Sequence, residues 1–326
     1  VSATIAPWLA PAWQRLGEAL RSGRLHHALL IAGPAGLGKR ALAEALVAAA
    51  LCQQRTEAGA CGVCRACRLL AAGTHPDRAH VSFAERDDGK LRSELTIEQI
   101  RTLSARLALS SQFGGLQLAI IEPAEAMNVS AANALLKTLE EPASDTIMIL
   151  IADQAARLPA TIRSRCQRID VALPPERQAL DWLRAHGLNE AAAAQALAAA
   201  AGNPGLALAW SGDGRLELGA ACAGDLSALS GGRATAMQVA ERWAADRPAD
   251  RLWFAAVLAD EEAQRLALGE RGRFGLTAID EIPKLAAWFA KANQARRLLD
   301  TPLRPELVLL EVLRAWPAAG QGERRI

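Results

Sequence analysis

The sequence predicts an α/β fold with a parallel sheet and a phosphate-binding loop, followed by helical regions. Three observations carry that expectation. Short apolar runs at Ala28 to Ala32, Leu118 to Ile121 and Ile147 to Ala152 interrupt an otherwise helical periodicity and read as buried parallel strands. Each run is followed by turn residues and then a helical pattern, the alternation that marks a doubly wound α/β domain. A glycine-rich loop with a lysine follows the first run directly.

The bulk properties fit that class. A chain of 326 residues is too long for one ordinary core and fits two or three domains. Its 51% hydrophobic content fills those cores, and 22% charged residues keep the surface solvated. No stretch of about 18 or more consecutive apolar residues occurs, so no membrane span is expected. Val1 to Trp8 lack a basic segment and a small-residue cleavage site, so no signal peptide is expected and the expected compartment is the cytoplasm. A formal charge of +2 argues against a protein that grips nucleic acid alone through bulk electrostatics, while leaving a shared or local contact open. Lysine occurs only at 39, 90, 137, 284 and 291, and arginine supplies the other 32 of the 37 basic residues. Against that background, a lysine inside a glycine-rich loop asks for a reason.

The α/β part, residues 1–170, closes near Asp170. Pro174-Pro175 then opens a helical segment with Trp182, Leu183 and Leu188, followed by an alanine-rich helix and a break at Gly202-Asn203-Pro204-Gly205. Residues 171–211 read as a compact helical lid. The break Ser211-Gly212-Asp213-Gly214 opens a third region, 212–326, that is helical to the end.

Gly33-Pro34-Ala35-Gly36-Leu37-Gly38-Lys39 stands between the first strand and a helix running toward Cys52. In that context Gly33, Gly36 and Gly38 let backbone N–H groups and the helix N-terminus surround phosphates, and Lys39 reaches the outer ones. The next position needs Ser or Thr, whose hydroxyl is a magnesium ligand; here it is Arg40, which has no acceptor atom. The second strand should end in an acidic pair, one residue for magnesium and one for the attacking water. It ends Glu122-Pro123, and Glu125, three residues on from Glu122, should point elsewhere. Phosphoryl transfer depends on such positioning, so hydrolysis of ATP is not expected.

Four of the six cysteines, Cys52, Cys61, Cys64 and Cys67, fall within sixteen residues. In a reducing compartment such clustering reads as metal ligation rather than disulfides. An iron–sulfur cluster is the competing reading, but its runs carry a fourth cysteine downstream, and none follows until Cys166. A closed four-thiolate structural zinc site is favoured. Cys166 and Cys222 read as buried small hydrophobes, and His75 as a structural loop residue rather than a ligand. Thr96-Ile97-Glu98-Gln99 reads as a capping box opening a helix that carries Arg101 and Arg106.

Several segments together resemble one family. They are Arg24-Leu25-His26-His27-Ala28-Leu29-Leu30 before the loop, and Ala71-Ala72-Gly73-Thr74-His75-Pro76-Asp77 after the cysteines. Asn133-Ala134-Leu135-Leu136-Lys137-Thr138-Leu139-Glu140-Glu141-Pro142 follows the second strand, and Leu158-Pro159-Ala160-Thr161-Ile162-Arg163-Ser164-Arg165-Cys166 the third. They resemble the clamp-loader family of bacterial DNA polymerase III, within the AAA+ superfamily, and its delta-prime branch rather than the gamma/tau ATPase. The match is dense over the first 170 residues or so and mostly architectural beyond the lid. Ala152-Asp153 stands where the ATPase branch has threonines, and Gly205 where active members carry a phosphate-sensing arginine. Gly38-Lys39 survives, unlike in many delta-prime relatives, which leaves passive binding of ATP or ADP open.

The resemblance implies an AAA+ P-loop domain with an inserted zinc module, a helical lid and an all-α C-terminal collar. It implies a non-hydrolysing subunit in a hetero-oligomer with delta and gamma/tau, acting on the β sliding clamp and primed DNA at the replisome. It implies that Arg165, in Ser164-Arg165-Cys166, is an arginine finger for a neighbouring gamma/tau subunit. Arg101 and Arg106 become candidates for phosphate contacts on DNA, against the plainer reading of a solvated helix face. Leu298, Leu299, Leu303, Leu307, Leu309, Leu310 and Val312 divide between a helix-bundle core and a collar surface. The alternative is an active ATPase of the same superfamily, which would have to tolerate Arg40 and Pro123; a stand-alone DNA-binding module is disfavoured by the near-neutral charge.

Overall fold

A computed structural model describes residues 5–85, 89, 92–143, 145–276, 279–299, 301 and 303–317. Residues 1–4, and Lys90, lie outside the described residues. The chain divides into two compact units. The first comprises Val1–Ala185 with Asn203–Leu206, and the second His186–Gly202 with Ala207–Ile326.

The first unit is built on one sheet of β1 (Ala28–Ala32), β2 (Arg78–Val81), β3 (Gln117–Ile121), β4 (Thr146–Ala152) and β5 (Gln167–Asp170). The strands run parallel in the order β2-β3-β4-β1-β5. The three apolar runs of the sequence are the three interior strands, and every residue in them is buried. The two strands without a sequence signal are the edges. β2 alternates between buried and half-buried residues, and β5 buries only Ile169. An edge strand is covered less and tolerates the polar residues that hide it from an apolar-run search.

Side-chain alternation along the strands feeds two cores. On one face, Ala28, Leu30, Ala119, Ile121, Met148 and Leu150 pack beneath α4 (Ile97–Leu107), α5 (Val129–Glu140) and α6 (Ala160–Arg163). On the other, Leu29, Ile31, Leu118, Ile120, Ile147 and Ile149 pack beneath α1 (Ala10–Arg21) and α2 (Lys39–Leu51). A short α3 (Arg65–Ala71) follows the cysteine cluster, and α7 (Glu176–Ala185) lies beside the start of the chain, where Trp182 meets Trp8 edge-on at 5.2 Å. The capping box is formed: Gln99 Oε1 accepts the Thr96 N–H at 2.9 Å, and the Thr96 side chain faces the Gln99 backbone. Asn128 caps α5 by accepting the Ala131 N–H at 2.9 Å, a contact worth about 1 kcal/mol.

The second unit holds α8 (Glu190–Ala199), the latter part of α9 (Pro204–Trp210), α10 (Arg215–Ser230), α11 (Ala236–Ala245), α12 (Pro248–Ala267), α13 (Ile282–Leu298) and α14 (Pro305–Leu313). Buried tryptophans pin these helices; Trp210 Nε1 is buried without a hydrogen-bond partner, whereas the three other buried tryptophans of this unit satisfy their indole N–H groups. Trp243 donates to Asp225 at 2.8 Å, Trp288 to the Val312 carbonyl at 2.9 Å, and Trp316 to Ser230 Oγ at 2.8 Å. The C-terminal leucines divide: Leu309 and Val312 are core, Leu298, Leu299 and Leu310 are half-buried, and Leu303 and Leu307 are exposed. Among the described residues no helix is long and apolar enough to cross a membrane.

Candidate functional site

In a parallel sheet the ends of the strands nearest their C-termini gather the functional loops. Here that edge brings together the loop Gly33–Lys39 after β1, Glu122 after β3 and Asp153 after β4. Gly33 has φ of +152°, and a Cβ there would overlap the Val171 carbonyl oxygen and lie 2.9 Å from its carbon, so only glycine fits.

Lys39 is at the start of α2 and is only 4% exposed. Its ammonium donates to the carbonyls of Gly33 at 2.6 Å and Pro34 at 2.7 Å, and to Asp153 Oδ1 at 2.6 Å. An ammonium has three donors, and all three are used inside the chain. Asp153, read from the sequence as an altered nucleotide-sensing position, supplies Lys39 with a carboxylate counterion.

Arg40 makes a matching arrangement with the residue at the end of β3. Its Nε is 3.4 Å from Glu122 Oε2, in a charge contact rather than a hydrogen bond, since that oxygen has no hydrogen-bond partner. Burial raises the Glu122 carboxyl above its usual range, with Arg40 pulling it back down and Asp153 adding to the rise. His80 Nε2 lies 3.9 Å from the same oxygen, and burial, reinforced by Arg40 and Arg78, lowers the imidazole's pKa and favours its neutral form. The Arg40 guanidinium is therefore the main cation acting on Glu122, with a smaller pull from Lys39. Pro123 follows through a cis peptide bond. Glu125 faces the chain after β4 instead, where its Oε1 accepts the N–H groups of Asp153 at 2.8 Å and Gln154 at 3.1 Å.

Other groups close on the loop. Trp8 Nε1 donates to the Leu37 carbonyl at 3.0 Å. Asn203, 4% exposed, donates from Nδ2 to the Ala35 carbonyl at 2.8 Å and accepts the Leu206 N–H at 3.1 Å. Gly205 faces Gly36 so closely that a Cβ on it would overlap the Gly36 carbonyl oxygen. The position read as having lost a sensing arginine is thus a backbone-to-backbone contact with the phosphate loop. Sequence reading found each position but not its partner; complementary charge at residues 39 and 153, and at 40 and 122, was the available signal.

The second cluster is Cys52, Cys61, Cys64 and Cys67, whose sulfurs all lie within 4.8 Å of one another and could hold a metal ion. Sulfurs are 3.9 Å apart for Cys52 and Cys64 and 4.0 Å for Cys61 and Cys67. A regular tetrahedron with metal–sulfur bonds of about 2.3 Å has edges of about 3.8 Å, so the donor set fits. Backbone N–H groups point at the sulfurs: Cys61 N–H to Cys52 at 3.3 Å, Cys64 N–H to Cys61 at 3.4 Å and Cys67 N–H to Cys64 at 3.5 Å. Burial opposes ionisation of Cys64, but N–H groups of Cys67 and Gln53 and the neighbouring thiols outweigh it and bring its pKa to about 6. Cys61 is lowered by the N–H groups of Val63 and Cys64, while burial and the neighbouring sulfurs push Cys67 to about 12. Cys166 and Cys222 are separate, and burial raises them to about 11 and about 12, as inert thiols. His75 is buried in its loop, with Nδ1 accepting the Asp77 N–H at 3.1 Å and its ring against Phe113 at 4.9 Å.

Arg165 follows α6 and is about one-third exposed. Its Nη1 donates to the Thr161 carbonyl at 3.0 Å and its Nη2 meets Glu140 Oε1 at 2.6 Å. Nearby Arg168 pairs with Asp170 at 2.7 Å. On α4, Arg101 is exposed, whereas the guanidinium of Arg106 donates to the carbonyls of Pro76 at 2.7 Å and Arg78 at 2.6 Å.

The profile of the family described as DNA polymerase III, delta subunit, matches residues 8–175, more than half of the chain. The DNA polymerase III subunit delta' of Pseudomonas aeruginosa is 42% identical over 243 residues, covering 74% of this chain and 72% of that protein. The subunit delta' of Escherichia coli is 41% identical over 204 residues, covering 62% of this chain and 60% of that protein, less than two thirds of its length. Among solved structures, a DNA polymerase III gamma subunit-related protein of Thermotoga maritima aligns over 93% of this chain and 97% of that one, at a TM-score of 0.40 and 16% identity. The matched segment carries the sheet, the phosphate loop, the four cysteines and Arg165, and with it the chain belongs to the DNA polymerase III delta' subunit family.

Proposed function

We propose that this chain is the non-hydrolysing delta' arm of a DNA polymerase III clamp loader, helping to place the β sliding clamp on primed DNA. The observation that carries the non-hydrolysing part is the Arg40 guanidinium 3.4 Å from Glu122, a side-chain cation where an ATPase would hold magnesium. Lys39 adds to it, since its donors are spent on Gly33, Pro34 and Asp153. Gly33, Gly36, Gly38 and Lys39 then serve as a scaffold that has replaced its ligand with internal ion pairs. The survival of this motif favours a second, narrower reading in which ADP or ATP binds without turnover, at the cost of parting Lys39 from Asp153.

Arg165 acts in trans. Its guanidinium would meet the γ-phosphate held by a neighbouring gamma/tau subunit and stabilise the charge that develops during transfer. A subunit that makes no use of ATP thereby controls its neighbour's use of it. The first 170 residues form the P-loop domain, residues 171–211 the lid, and residues 212–326 a collar that holds delta, delta' and gamma/tau together, with Leu303 and Leu307 as apolar surface available to it. The metal is zinc, held by Cys52, Cys61, Cys64 and Cys67 in a closed site whose role is to fix the segment between α2 and α3. Arg101, exposed on α4, is the better of the two candidates for a DNA phosphate contact, because Arg106 is occupied by backbone carbonyls. The setting is the cytoplasmic replisome.

The test is ATP turnover by the assembled loader with clamp and primed DNA, comparing the wild-type chain with Arg165→Ala. A slowing of at least about tenfold is expected from loss of a finger. Unchanged turnover in a complex of normal composition would remove the finger from the account.

A further inference from the structure

We propose that Glu140 is the positioning residue of Arg165, holding the guanidinium ready for a phosphate presented by the neighbouring subunit. The proposal rests on Arg165 acting as a finger and adds the residue that aims it. Glu140 is the last residue of α5, where a carboxylate faces the negative end of the helix and gains nothing from it. What it does gain is Arg165 Nη2 at 2.6 Å.

The backbone behind the two side chains is anchored differently. Leu139, beside Glu140, is 2% exposed in the sheet core, and its carbonyl is held by His27 Nε2 at 3.0 Å. Arg165 instead follows α6, a helix of four residues, on a long side chain with much rotamer freedom to lose. Glu140 and the Thr161 carbonyl together fix both terminal nitrogens, one each. That leaves Nε–H and one N–H on each terminal nitrogen free for a phosphate, so the hold does not consume the finger. Both partners are partly exposed, so the pair adds little to stability. Its effect is pre-organisation, which lowers the entropy lost when the transition state forms.

Reconstituted loaders carrying wild-type chain, Glu140→Ala, Glu140→Gln, Arg165→Ala and the double variant Glu140→Ala/Arg165→Ala separate the possibilities. Steady-state ATP hydrolysis with clamp and primed DNA gives kcat and KM for each. Glu140→Ala should lower kcat about two- to fivefold, the span of an exposed ion pair expressed fully in the barrier, with KM for ATP little changed. Glu140→Gln, which keeps an acceptor oxygen, should recover most of that loss. In the Arg165→Ala background Glu140→Ala should add nothing. Thermal melting of the isolated Glu140→Ala chain should stay within about 2 °C of wild type, which separates positioning from folding. If Glu140→Ala leaves kcat unchanged or raises it, or slows the Arg165→Ala loader further, Glu140 does not position the finger. If Arg165→Ala itself leaves kcat unchanged, the finger falls and Glu140's role falls with it.

Discussion

Replacing Gly205 by alanine sets a methyl group against the phosphate loop. A Cβ at that position would overlap the Gly36 carbonyl oxygen, lie 2.7 Å from its carbon and 3.1 Å from the Gly36 Cα. Carbon atoms in contact rest about 3.5–4.0 Å apart, so the loop or the start of α9 has to move. Intrinsic helix preference would favour alanine by about 1 kcal/mol at a helix interior, and by less in a first turn. Overpacking against backbone costs about 1–3 kcal/mol, and loosening the Asn203 to Ala35 hydrogen bond at 2.8 Å costs about 1 kcal/mol more. The clash therefore wins, and the net expectation is a loss of about 1–3 kcal/mol. Gly224 in α10 is the control: nothing lies within 4 Å of a Cβ there, so Gly224→Ala should stabilise by about 0.5–1 kcal/mol. Urea unfolding gives the two signs, and amide hydrogen exchange across residues 33–39 should rise in Gly205→Ala alone. Gly205→Ala with wild-type stability and unchanged exchange would refute the close packing of Gly205 on the loop.

Three further outcomes concern Asp153, the cysteine cluster and His75. Asp153→Ala strips Lys39 of its carboxylate partner and should cost about 1–2 kcal/mol in urea unfolding, discounted because Asp153 is 45% exposed, with Asp153→Asn losing less. Elemental analysis of the chain purified under reducing conditions should give one zinc per chain. Cys64→Ser should lose that metal and melt at lower temperature, whereas Cys222→Ser should keep it. Burial holds His75 below the ordinary histidine value of about 6.5, against a smaller opposing pull from Asp77. The unfolded chain then binds more protons just below that pH, so this contribution is complete above it and fades as pH falls through the folded pKa. Protonation would also turn Nδ1 into a donor facing the Asp77 N–H. Thermal melts from pH 7.5 to pH 5 should fall less steeply for His75→Gln than for wild type.

The interior of the fold was legible because burial on both faces forces unbroken apolar runs, and β1, β3 and β4 were found within a residue of their ends. The edge strands were not, because Arg78, His80, Arg168 and Asp170 are tolerated where cover is thin. Local spacing made the cysteine cluster and the glycine loop readable. Arg40 and Pro123 were readable as residue types in a known context. Partnership across the chain was not: Lys39 and Asp153 are 114 residues apart, and Asn203 meets Ala35 across 168. Those contacts exist only once the sheet has set the loops side by side. Arg106 is exposed, as its helix position suggests, but its guanidinium also reaches the carbonyls of Pro76 and Arg78, 30 and 28 residues away, which no local pattern shows.

If internal ion pairs have taken the place of magnesium and ATP in this chain, the isolated chain should not turn over nucleotide. Phosphate release with magnesium and ATP should equal the protein-free blank and should not change in Lys39→Ala. Release above the blank that Lys39→Ala abolishes would mean that Arg40, at 3.4 Å from Glu122, does not displace the metal, and that the chain is an ATPase.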